Sequence, residues 1–174
     1  MMSETILRTS LKYGVALGLG FCLYTTLMWL TNLDTTYLKI GQYFDIAIIV
    51  LPIGIIIGSI RKVSKDQNVT LAQRLIIAIL VALISYAIYQ PFLYTYHNFI
   101  NPDWFLSVLQ LKENELRAAR IPQSIIDETL EKLKKSNLSQ SAMFSLTTLI
   151  PSVVFIPILS VIVSLFFVRS RRVR

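Results

Sequence analysis

A chain of 174 residues that is 54% hydrophobic, with mean hydropathy +0.60 and a formal charge of +7, is too apolar for an ordinary water-soluble domain, for which about 45–50% apolar is the norm. Its basic residues stand beside apolar runs of helical length, a pattern that fits a membrane surface and argues against a nucleic-acid partner. The lone cysteine, Cys22, excludes a disulfide framework and a multi-cysteine metal site, and the lone histidine, His97, excludes a multi-histidine one.

A bilayer core of roughly 30 Å needs about 20 apolar residues in a helix. Such runs occur at 11–30, 40–60, 71–93 and 142–168. The first follows Arg8 and Lys12, as a signal peptide would, but it has no small-residue cleavage site, Trp29 closes it, and bulky Phe21 before Cys22 speaks against a lipoprotein signal. It is therefore expected to remain as a membrane helix. Gly14 and Gly18 in the first run, and Gly54 and Gly58 in the second, have the small-xxx-small spacing that lets helices approach closely. Pro52 interrupts the second run, and Pro151 and Pro157 interrupt the fourth. Interruptions in corresponding hairpins can mark a transport site, although proline is also tolerated in membrane helices without one.

The one long connection, residues 94–141, carries helix signals. Asn101 and Pro102 suit a helix start, Pro122 interrupts, and Ser124 with Asp127 has capping-box spacing for a second start. Glu113/Arg117, Glu128/Lys132 and Glu131/Lys135 stand four apart on the polar side, while Ile126, Leu130 and Leu133 form an apolar stripe. The segment 101–136 thus reads as an amphipathic helical hairpin, whose stripe either lies on lipid or docks a partner protein or a second copy of the chain. With the N-terminus inside, ten of the seventeen Lys and Arg residues fall on cytoplasmic segments: Arg8, Lys12, Arg61, Lys62, Lys65, Arg74, Arg169, Arg171, Arg172 and Arg174. The six basic residues of the long connection are offset by as many acids, so both termini are expected in the cytoplasm and the hairpin outside.

Three stretches taken together, "LKYGVALGLG" from Leu11, "ENELRAARIPQSIIDETLEKLKK" from Glu113 and "SVIVSLFFVRSRR" from Ser160, resemble the small four-helix membrane proteins of Bacteroidota grouped as domain of unknown function 4199. That resemblance implies an inner-membrane location in Gram-negative bacteria and no established activity. The family commonly has a glycine where Arg120 stands, so this chain departs there, and Pro122 is expected to make the break instead.

Polar chemistry is sparse. No serine, threonine or cysteine has a recognisable base partner and there is no phosphate-binding glycine loop, so no catalytic, cofactor or metal residues are assigned and an enzyme is not expected. Asp45 is the acid that falls within an apolar run, and with Gln90 and His97, expected at the same membrane face, it makes the best candidate polar site, for a proton or a cation. The whole chain is read as one all-α membrane domain, a four-helix antiparallel bundle with an extracytoplasmic amphipathic hairpin between its third and fourth helices. The function expected first is a non-enzymatic accessory or scaffold subunit that binds a membrane-protein partner or its own copies. A small oligomeric transporter or channel is the alternative.

Overall fold

Apolar runs without water to solvate their peptide groups must satisfy those groups internally, and here they do so as helices. The computed structural model describes residues 4–140 and 149–167, and no strand occurs among them. Helix α1 spans Glu4–Leu30, α2 Leu38–Phe44, α3 Ile46–Asp66, α4 Leu71–Thr95, α5 Trp104–Ala118, α6 Gln123–Gln140 and α7 Ile156–Phe167; π-turns Tyr96–Ile100 and Pro151–Phe155 extend α4 and precede α7. Three helical segments are long and apolar enough to cross a membrane: Glu4–Leu30, Leu38–Lys65 and Leu71–Ile100. The fourth, Pro151–Phe166, is shorter, and residues 142–148 and 168 of the expected run lie outside the described residues.

Local chemistry sets the ends. Thr70 caps α4 through a capping box, its hydroxyl accepting from the Gln73 N–H at 3.3 Å while the Gln73 side chain accepts from the Thr70 N–H at 2.9 Å. Helix α1 closes with Asn32 at φ 55°, the N–H groups of Asn32 and Leu33 returning to the carbonyls of Trp29 and Met28. The same closure ends α5. Arg120 sits at φ 58°, its N–H donating to the Arg117 carbonyl and that of Ile121 to the Leu116 carbonyl. The break expected at Pro122 is therefore made two residues earlier, at Arg120, and the Pro122 carbonyl instead accepts the first N–H groups of α6 from Ile125 and Ile126. Because a left-handed non-glycine residue costs roughly 1–2 kcal/mol, partly offset by the backbone freedom of glycine, Arg120→Gly should raise stability by about 1 kcal/mol. Thermal unfolding in detergent checks this, and a lower midpoint would contradict it.

Helices α3 and α4 pack on each other and both pack on α1 and α7, so α3 and α4 form the centre. Their shared core includes Leu17, Ile56, Ile60, Ile77, Val81 and Val161. A Cβ built on Gly14 would meet the Ile84 side chain at 2.7 Å, and one on Gly18 would meet Ile88 at 2.9 Å. The equal offset means that α1 and α4 run parallel: the most intimate pair is not one of chain neighbours. Gly58 has the Tyr13 ring at 3.5 Å, whereas nothing lies within 4 Å of a Cβ on Gly54, so Gly54 is not a packing position among the described residues. Pro52 and Pro157 are buried in their helices and Pro151 opens the second π-turn. Pro52 and Ser152 both line a cavity of about 70 Å³ among Phe21, Ser85, Tyr86 and Tyr89.

Helices α5 and α6 pack as a hairpin, and α5 also touches α2. Ion pairs Arg117–Glu113, Lys132–Glu128 and Lys135–Glu131 form along it at 2.7, 2.6 and 2.8 Å. The Lys135 ammonium, both as hydrogen-bond donor and as charge, holds the Glu131 carboxyl below its ordinary value. Ile126 is 1% exposed, with Leu130 and Leu133 half-buried. The face assigned to docking is thus partly consumed inside the chain, because an amphipathic helix must first cover its own stripe. Among the described residues, Ile125 and Leu106 are the large apolar residues left exposed on this pair, at 49% and 55%.

Candidate functional site

The densest buried polar cluster lies where the α1–α2 loop, the end of α4 and the start of α5 meet. Asp34 in that loop is 7% exposed. Its Oδ2 accepts a hydrogen bond from the Tyr96 hydroxyl and another from Asn101 Nδ2 at 3.0 Å, and Asn101 Nδ2 also reaches the Tyr96 hydroxyl at 2.9 Å. The π-turn makes this possible. The Asn101 N–H donates to the Tyr96 carbonyl at 2.8 Å, bringing residues five apart to one side, whereas a continuing α-helix would set them about 140° apart. Asn101 does not cap α5: that helix begins at Trp104 after Asp103, and the Asn101 side chain serves Asp34 instead.

Everything donated to Asp34 goes to one oxygen. Oδ1 is buried with no hydrogen-bond partner, and so is Nδ1 of His97. The His97 ring stands edge-on to Tyr96 at 5.2 Å and 4.5 Å from Trp104. Among the described residues Asp34 has no ion-pair partner and no three potential metal ligands cluster. A buried carboxylate without a cation is costly in its ionised form. Its bare oxygen is a buried acceptor that no donor meets.

The expected trio is not assembled. Asp45 is exposed at the break between α2 and α3, accepting from the Tyr24 hydroxyl at 3.1 Å. Gln90 is buried and donates to the Tyr86 hydroxyl at 3.1 Å, one turn back on its own helix. His97 belongs with Tyr96 and Trp104. The acid that matters structurally is Asp34, which sequence reasoning passed over because a lone Asp in the polar loop "TNLDTTY" looks like a solvated turn. Only the aromatic and amide content of the "YHNFIN" segment hinted at a polar partner surface.

A second buried charge lies towards the other end. Arg74 is 5% exposed and donates to the carbonyl and hydroxyl of Ser164 on α7, both at 3.4 Å. Counted by sequence among the loop cations, it is in fact a strut between α4 and α7. Ser59, Ser160 and Ser164 are buried with their hydroxyls turned onto carbonyls of their own helices, the usual way a small polar residue enters a membrane helix contact.

Three helices long and apolar enough to cross a membrane, around an interior with scattered polar groups, point to the class of helical integral membrane proteins. Within it, the chain belongs to the family described as Protein of unknown function (DUF4199), whose model matches residues 12–169. No curated protein and no solved structure is similar enough to match it.

Proposed function

We propose that this chain is a multi-pass inner-membrane protein with a four-helix bundle, both termini cytoplasmic and the α5–α6 hairpin outside, acting as a non-enzymatic accessory or scaffold subunit. What supports this is the location of its recesses. The interior cavity, at about 70 Å³, has room for a few waters only. A groove of about 490 Å³ instead runs on the surface between α5 and residues 35–40, lined by Ser107, Gln110, Asn114, Thr35, Thr36 and Lys39. Among the described residues the interior cavity is too small for a sizeable solute, while the hairpin offers hydrogen-bonding side chains and the exposed apolar Leu106 and Ile125 to a partner protein or a second copy.

A single experiment addresses orientation and partner. The variant Leu106→Cys, made together with Cys22→Ser, should react with an impermeant thiol cross-linker on spheroplasts and yield a defined adduct with one membrane protein or with the chain itself. Absence of labelling at position 106 refutes the orientation, and labelling without any discrete adduct refutes the partner.

A second reading, passage of a proton or small cation by an oligomer, is favoured by Asp34 and by the buried polar residues Ser85, Tyr86, Gln90 and Tyr96 in the last turns of α4 and its π-turn. It requires flux in proteoliposomes that Asp34→Asn abolishes. No flux from the unaltered chain, or equal flux from the variant, rejects it.

A further inference from the structure

At the end of the bundle away from Asp34, a cavity of about 500 Å³ opens between α1 and α3. Arg8 and Lys12 line it from α1 and Lys62 from α3, and all three are exposed. Thr5, Thr9 and Tyr13 add hydroxyls from the same face of α1, because positions 5, 8, 9, 12 and 13 recur at helical spacing. The one acid in the wall is Glu4. Among the described residues no carboxylate stands within ion-pairing distance of Arg8, Lys12 or Lys62. Three like charges turned into one concavity repel one another unless an anion sits between them. The setting narrows the choice of anion. Apolar α1 begins here, with Leu7 and Leu11 exposed on the adjoining face at 47% and 52%, and α3 changes from apolar to basic after Ile60.

We propose that this cavity is a binding site for the phosphate of an anionic phospholipid headgroup. Arg8 takes two phosphate oxygens through its planar fork, Lys12 and Lys62 supply point charge, and the hydroxyls donate to the remaining oxygens. The acyl chains run along Leu7 and Leu11. Glu4 accepts from a headgroup hydroxyl, which suits a glycerol better than a choline. The inference is independent of the partner reading and of the Asp34 cluster, since it uses none of their residues.

Native mass spectrometry of the full chain in neutral detergent, titrated with phosphatidylglycerol or phosphatidylcholine, measures it. Phosphatidylglycerol should bind at least about tenfold more tightly. The combined variant Arg8→Gln, Lys12→Gln, Lys62→Gln should lose that preference. The combined variant Lys112→Gln, Lys132→Gln, Lys134→Gln, equal in net charge but outside the cavity, should keep it, and a thermal melt of each shows that both fold. Added inorganic phosphate separates the sources of the anion: lipid retained supports the headgroup, and lipid displaced at equal concentration overturns it in favour of soluble phosphate as the occupant. Equal affinity for the two lipids, or equal loss in the two variants, also overturns the proposal.

Discussion

Gly14→Leu should cost this protein about 3 kcal/mol in detergent, while Gly54→Leu leaves its unfolding midpoint nearly unchanged. Lipid tails are as apolar as a leucine side chain, so nothing like the hydrophobic effect drives these helices together; close packing has to do it. At Gly14 that packing is complete. A new Cβ would lie 2.7 Å from Ile84 Cβ and 3.0 Å from the Val81 carbonyl oxygen, and the latter belongs to the backbone of α4 and does not swing aside. A leucine there separates α1 from α4 along the run that Gly18 continues, where the Ser85 carbonyl stands 3.1 Å from the corresponding point. Gly54 has open space around it. Comparing thermal unfolding of the two variants decides the matter, and equal destabilisation would mean that the α1–α4 contact is not the one that holds the bundle.

The hairpin provides the second large effect. Ile126→Ala should cost about 2–5 kcal/mol of hairpin stability, as for other buried isoleucines, because Ile126 is 1% exposed within the α5–α6 pair. Leu130 and Leu133 are half-buried, so alanine at either should cost less. Neutralising Glu128 and Lys132 together removes a pair whose side chains are 64% and 74% exposed, and such pairs contribute roughly 0–1 kcal/mol. Limited proteolysis reads the series: cleavage within 101–135 should accelerate sharply for Ile126→Ala and barely for the ion-pair variant. Similar cleavage of all four would place the hairpin's stability outside its apolar seam. The result also bears on docking, since a residue spent on holding the hairpin closed is unavailable to a partner, and Leu106 and Ile125 inherit that role.

Some of this molecule follows from chain order alone. Helix, ion pair and cap are made between residues three to five apart, so the long apolar runs, the Glu128–Lys132 and Glu131–Lys135 pairs and the helices of the long connection could be read before any packing was known. Details shift where two local solutions compete. Asn101 has the chemistry of a cap, but its amide is used by Asp34, and Arg120, in a left-handed conformation, makes the break expected of Pro122.

Other features depend on how helices are rotated and stacked, which no local interaction specifies. Gly14-x3-Gly18 and Gly54-x3-Gly58 have the same spacing, yet Gly14 and Gly18 meet α4 while Gly54 faces open space, because the difference lies in which face each helix turns inward. Asp45, the acid within an apolar run, reads with Gln90 and His97 as a candidate polar site at the membrane face and lies exposed, whereas Asp34, in a polar loop that suggests no such role, is buried. Asp34 is buried because Tyr96 and Asn101, 62 and 67 positions away, close over it once α4 ends in a π-turn beside the α1–α2 loop. An all-α chain with helices of membrane-spanning length is already written in the residues, since composition and short-range hydrogen bonding suffice for that. Where its charges are hidden came from the tertiary structure alone, since burial is a property of neighbours brought from elsewhere in the chain.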